Sequence, residues 1–327
     1  MRYEIFLQTI KEEMEKRLGP DHQVSLRSIP KNNGVIWDGL SICKAEEDIA
    51  PTIYLQDFYQ ELEGGQTLSQ ICDRIHQLYV ENPGLPYLDS SALSSYQDIK
   101  DRIVYKLVNT QANSTLLKKL PHIPFHDMSM ICYLLIEQRE QGYVTALIHK
   151  EHLRAWKVRE KDLFLTAIRN TPALLPAVIQ PMSQVLKQLA QDALGDDCDE
   201  QDLDSLIQAT EERRLENEPL FPTLYVLTNP AGVNGAACMA YPQVIKNFAD
   251  RLGQDLLILP SSIHEVLLVT DSADYDHEEM SQMVDDINQT EVPPEDRLSN
   301  QIYRYSRADE QITIVSHGPA LVGTGNR

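Results

Sequence analysis

Residues 224–269 read LYVLTNPAGVNGAACMAYPQVIKNFADRLGQDLLILPSSIHEVLLV, and how they divide decides the fold. An apolar run at 224–227 reads as a strand. Asn229-Pro230-Ala231-Gly232 turns the chain, and 236–241 reads as a returning strand. Val244, Ile245, Phe248, Ala249 and Leu252 then fall at helical spacing, stopped by Gly253. Two short apolar runs follow at 255–259 and 263–269, which read as buried strands joined by Pro260-Ser261-Ser262.

Outward from there the pattern repeats. Met280, Met283, Val284 and Ile287 mark a second helix by their spacing, broken by Val292-Pro293-Pro294, and 302–305 reads as a closing strand. Residues 308–327 read as a disordered tail. At the other end, Tyr3, Phe6, Leu7, Ile10, Met14 and Leu18 predict a helix closed by Gly19-Pro20. A hairpin follows, with Asn33-Gly34 in its bend. Residues 52–62 read as helix, and Thr67 with Gln70 forms a capping box for another.

In the middle, 96–107 reads as either a helix or a buried strand pair. Residues 120–125 (LPHIPF) read as irregular because prolines interrupt pairing. Residues 128–136 and 143–149 predict a strand pair across Gly142. Residues 160–169 predict a helix closed before Thr171-Pro172, and Met182, Val185, Leu186 and Leu189 mark one more helical face. Hairpins alternating with helices predict an α+β fold. Its strand-strand-helix units repeat, and its largely antiparallel mixed sheets are covered by helices. The expected divisions are an N-terminal α+β domain (1–95), a central α+β segment (96–190), an acidic linker (191–218) and a C-terminal ββαββαβ domain (219–307). Residues 191–218 hold eleven acids against two arginines, which is why they read as a solvated linker.

The whole chain of 327 residues carries 29 Lys and Arg against 49 Asp and Glu, a net charge of −20. Binding to a phosphate backbone draws on clustered cations that release counterions, and no basic stripe is present. Nucleic acid bound directly through its backbone and anionic membranes are therefore not expected as partners, and no run approaches the ~18 apolar residues of a membrane span. Charges interrupt the first residues, so no signal-peptide core is expected. Five cysteines, none in a CxxC pair, predict a reducing, cytoplasmic setting.

Several groups could carry chemistry. In SSIHE, Ser261 or Ser262 could be a nucleophile, His264 its base and Glu265 the orienting acid. A strand over 263–269 would throw His264 and Glu265 to opposite faces, so the expected role is a turn between strands. In PHIPFHD, His122, His126 and Asp127 are candidate metal ligands, with His149 and His152 as further donors, although Pro124 keeps the first two off a common helix face. Asp196, Asp197, Asp199, Glu200, Asp202 and Asp204 lack the calcium-loop register. Gly232 and Gly235 lack the Lys-Ser or Lys-Thr of a phosphate loop and read as turn glycines. Arg102 and Lys106, four apart, would share a helix face and make a small basic patch beside Asp101. No cofactor is expected.

The stretches DRIVYKLVNT, LPHIPFHDMSMICYLLI, NTPALLP, LYVLTNPAGVNGAACMAYPQVIKNFADRLG and LILPSSIHEVLLV stand in an order and spacing that resembles an uncharacterised family of anaerobic gut bacteria. The resemblance runs from Met1 to about Arg307. The chain is also distantly similar to a second uncharacterised bacterial family. The matching residues are Asn229, Gly232 or Gly235, Ala236 or Ala237, Pro260 and Val266 to Leu268. These resemblances imply the architecture and a cytoplasmic bacterial setting, and no activity. The expected function is a non-enzymatic protein-interaction module. The alternative is a hydrolase or metal-dependent enzyme using Ser262, His264 and Glu265 or His122, His126 and Asp127.

Overall fold

The computed structural model describes residues 1–44, 52–81, 95–139, 142–194, 223–260, 262–272, 275–316 and 318–323. The chain forms two compact units, Met1–Ile99 and Lys100–Arg327.

The first unit runs α1 (Tyr3–Leu18), β1 (His22–Pro30), β2 (Ile36–Lys44), β3 (Thr52–Tyr54), α2 (Gln56–Glu63), α3 (Leu68–Glu81) and the single turn α4 (Tyr96–Ile99). Phe6, Ile10 and Met14 recur every four residues on α1. That face is buried in a cluster with Val24, Leu40 and Ile42 of the hairpin and Ile71 and Ile75 of α3. The β1–β2 bend places Asn33 and Gly34 in the left-handed region, at φ 57° and 73°. The capping box is in place: the Thr67 N–H donates to Gln70 Oε1 at 3.0 Å, and the Gln70 N–H to Thr67 Oγ1 at 3.4 Å. Residues 52–54 are a correction to the expected helix, since they pair with β2 as an edge strand. The fit depends on Gly39, whose absent Cβ leaves room for the Thr52 methyl.

The second unit contains β4 (Ile103–Asn109), α5 (Ser114–Leu117), β5 (His122–Phe125), β6 (Met128–Arg139), β7 (Gly142–Leu147), α6 (Lys150–Trp156), α7 (Glu160–Leu174), β8 (Val178–Pro181) and α8 (Met182–Leu194). After these come β9 (Tyr225–Thr228), α9 (Val244–Leu252), β10 (Leu256–Leu259), β11 (Val266–Thr270), α10 (His277–Thr290), β12 (Tyr303–Ser306) and β13 (Gln311–Ile314). All pairings among the described residues are antiparallel, so the α+β class holds. One sheet is centred on β6, with β4 along one edge and β5 then β7 along the other. The other has the order β13-β12-β10-β11-β9-β8.

Several local expectations are corrected. Residues 103–109 are strand, not helix, so Arg102 and Lys106 share no helix face. Residues 122–125 do pair with β6 in spite of Pro124. They form an edge strand, where a missing N–H can face outward at no cost. Helix α7 continues through Pro172, because the Thr171 hydroxyl donates to the Ala167 carbonyl (2.6 Å) and accepts the Tyr105 N–H (3.0 Å), pinning the last turn to β4. Residues 235–240 form a 3₁₀ turn rather than a strand. Within the expected tail, β13 pairs with β12, and the Pro319 carbonyl accepts from Asn300 at 3.2 Å. The acidic cluster from Asp196 to Asp204 lies outside the described residues.

Helix α10 is rotated relative to expectation: Val284 and Met280 meet the apolar core as their spacing predicts, and Met283 and Ile287 do not. It buries Ser281, Val284, Asp285 and Asn288 and leaves Met283 and Ile287 exposed. The buried polar face is bonded apart from Asn288 Oδ1, which has no partner among the described residues. Asn288 donates to Asn300 Oδ1 (2.7 Å) and the Ser299 carbonyl (3.0 Å), Asn300 donates to Asp285 (2.7 Å), and Ser281 donates to the Asn300 carbonyl (3.1 Å).

Candidate functional site

Strand β11 begins at Val266, so residues 263–265 form a bend and the pleat does not separate His264 from Glu265. Ser262 instead pairs with Arg297 as an isolated bridge, and the Ile263 N–H donates to the Asp296 carbonyl at 2.8 Å. The segment is thus laid against 293–300, not extended from β11. This bend brings Ser262, His264 and Glu265 together with Asp296.

The contacts differ from those of the serine–histidine–glutamate relay that the alternative reading requires. The Ser262 hydroxyl donates to the Glu265 carboxylate and accepts the His264 backbone N–H at 3.0 Å. His264 Nε2 lies 3.3 Å from Asp296 Oδ1, and its Nδ1 lies 3.4 Å from the Asn234 backbone N, which donates to it. Both ring nitrogens are therefore engaged, and their partners are Asp296 and the Asn234 N–H, not the Ser262 hydroxyl. The acid partner of the imidazole is Asp296, a residue that spacing along the chain gave no reason to choose. Its hydrogen bond raises the His264 pKa above the ordinary value, against the opposing effects of burial and the nearby Lys106 charge. Burial raises the Glu265 carboxyl, partly offset by His264 and Ser262.

The glycine-rich loop supplies the floor. Asn229 holds the loop by donating to the Val233 carbonyl (2.9 Å) and accepting the Ala231 N–H (3.0 Å). Asn234 takes a left-handed φ of 54°, which aims its N–H at the imidazole. Gly235 lies against backbone, because a Cβ there would overlap Thr228 Oγ1 and the His264 carbonyl. The Thr228 hydroxyl donates to that same carbonyl at 2.8 Å, and the Ala236 N–H to the Ile263 carbonyl at 3.2 Å. Gly235 is thus a close-approach glycine joining the two loops, more than the turn glycine expected from its spacing.

The second group is split. His126 and Asp127 form the two-residue turn between β5 and β6, with His126 at φ 57°. Both Asp127 oxygens accept from hydroxyls of the other sheet's elements, Oδ1 from Tyr303 and Oδ2 from Ser299 at 2.8 Å. The His126 ring stands edge-on to Tyr303 at 5.3 Å, and burial lowers its pKa. His122 sits at the far end of β5, roughly 13 Å away along an extended strand, and bonds the Leu120 carbonyl at 3.1 Å. His149 and His152 cap α6 through each other, with the His149 N–H donating to His152 Nδ1 at 3.1 Å. Among the described residues no group of three or more His, Cys, Asp or Glu could hold a metal ion. Cys43, Cys72, Cys132 and Cys238 form no disulfide, and burial pushes the Cys238 thiol up to about 12. No helix among the described residues is long and apolar enough to cross a membrane.

Comparison with known proteins places residues 3–307 under one family model, described as a family of unknown function (DUF5688). No curated protein and no solved structure matches.

Proposed function

Because the chain belongs to this family of unknown function, whose description names no activity, we propose a function from the geometry: a non-enzymatic protein that acts by binding another protein. The observation that carries the first half is the occupancy of His264. Its two nitrogens are taken by Asp296 and the Asn234 N–H, while Ser262 is bonded to Glu265. A nucleophilic serine needs a base free to take its proton, and here the groups that could do chemistry hold three loops together instead. The net charge of −20 favours a basic protein as the partner.

A fluorophosphonate, which reacts with activated serines, tests this directly. Intact-mass and peptide analysis should find no adduct on the peptide containing Ser261 and Ser262. An adduct there that disappears in a folded His264→Ala variant would establish a hydrolase and overturn the reading.

A further inference from the structure

We propose that a cleft walled by α6 and the start of α7 binds a small phosphorylated molecule, a role beyond the protein binding proposed above. The cleft has a volume of about 390 Å³. Four bases line it, Lys150, Arg154, Lys157 and Arg159, beside the apolar Leu153 and Val158 and one acid, Glu160. Lys150, Arg154 and Lys157 stand at i, i+4 and i+7, along one edge of α6 and its cap. Elsewhere this chain gives its cations acids: Arg17 meets Asp73, Arg74 meets Glu61, and Arg304 meets Asp255 and Asp271. In the cleft Arg159 is taken up by Asp162, at 2.7 and 3.0 Å. The other three bases meet no acid among the described residues, and Lys150 Nζ donates to the Lys118 carbonyl at 3.1 Å. Like charges four apart on a helix repel. The helix dipole accounts for bases at the end of α6 but not for Lys150 in its first turn. In a chain with 49 acids and 29 bases, these neighbours form a cationic cluster that an outside anion would neutralise.

Chemistry and size select the ligand. One guanidinium fork and two ammonium groups match the oxygens of a phosphate. A cleft of this volume is the size of a small-molecule site. A long polyanion such as duplex DNA would reach past the cleft along a chain carrying −20. A small anion feels chiefly the charges within a Debye length, about 8 Å at physiological salt. Glu160 repels a bare phosphate but accepts from a hydroxyl. The ligand that satisfies both signs of charge is a phosphate ester with a hydroxylated body, of which a sugar phosphate is the simplest.

The test is titration calorimetry of the full chain at low salt with ribose 5-phosphate, ribose, inorganic phosphate and a short DNA duplex. Ribose 5-phosphate should bind and ribose should not. Arg154→Gln with Lys157→Gln changes two exposed positions and should weaken ribose 5-phosphate by about tenfold or more at an unchanged melting temperature. Equal binding by that variant would put the phosphate elsewhere and overturn the site. No binding by the wild type would overturn the ligand class. Glu160→Gln should tighten inorganic phosphate and narrow its gap to ribose 5-phosphate, and an unchanged gap would overturn the choice of a hydroxylated ligand. Duplex bound as tightly as the sugar phosphate, and lost in the double variant, would make nucleic acid the occupant and overturn the small-molecule reading.

Discussion

Gly235→Ala is the sharpest test of how the loops are joined. The added Cβ would overlap Thr228 Oγ1 and the His264 carbonyl, and would lie 2.9 Å from the Asn229 backbone nitrogen. Two of these three atoms are backbone. The third is a hydroxyl already committed to the His264 carbonyl at 2.8 Å. No flexible side-chain end can move aside, so the 228–236 loop and the 262–265 bend must separate. Overpacking of this kind costs about 1–3 kcal/mol, and loss of the Thr228 bond adds roughly 1 kcal/mol. The Asn234 N–H to His264 Nδ1 and Ala236 N–H to Ile263 contacts flank the glycine and stretch with it. The expected loss is therefore about 3 kcal/mol. Gly253→Ala is the control: its φ is 74° and nothing lies within 4 Å of its added Cβ. It carries only the left-handed backbone cost, about 1–2 kcal/mol. Urea unfolding of both variants, read as a shift in the transition of the second unit at constant slope, measures the difference. If Gly235→Ala costs no more than Gly253→Ala, the close approach of the two loops does not hold them together.

Two further outcomes follow from the same loops. The Asp296 hydrogen bond raises the His264 pKa in the folded protein above its unfolded value of about 6.5. Its contribution is then fully present below about pH 6.5 and is lost as the pH rises through the raised native value. Wild-type melting temperature should fall across that window relative to Asp296→Asn, and parallel curves for the two proteins would refute the pairing. Asp127→Ala leaves the Tyr303 and Ser299 hydroxyls without their shared acceptor, Tyr303 being wholly buried. It should cost about 3 kcal/mol in urea unfolding, and a loss under 1 kcal/mol would mean that solvent replaces the carboxylate.

The fold was legible where one element answered to one signal. The four-residue recurrence of Phe6, Ile10 and Met14, the Asn33-Gly34 bend and the Thr67–Gln70 box each act within a few residues, and each element stands where its signal placed it. Local rules failed where a distant partner decided. Proline was read as breaking 120–125 and closing the helix of 160–169 before Thr171. An edge position excuses Pro124, and the Tyr105 N–H, from a strand more than sixty residues away in sequence, holds the turn at Pro172. In 235–240 the apolar run suited a strand, but the contact of Gly235 with Thr228 and His264 leaves no course for an extended chain.

Periodicity has a deeper limit, and α10 and the candidate site expose it together. A repeating apolar pattern identifies a face but does not say which side of the element meets the core. On α10 the core-facing side can hold Ser281, Asp285 and Asn288 beside Val284 because Asn300 and the Ser299 carbonyl supply partners for them, and those partners come from outside the helix. The same holds for His264. The period-two rule applied to 263–269 would have kept imidazole and carboxylate apart, and it fails because Asp296 draws the Ile263 backbone out of the β11 line. Backbone hydrogen bonds from 293–300 thus set both the course of the bend and the identity of the imidazole's acid. Ser262, His264 and Glu265 could be named from sequence, but Asp296 and the pairing could not, since both come from a loop about thirty residues downstream. That origin also sets the state of the cluster: the bonds that assemble it are the ones that engage both imidazole nitrogens.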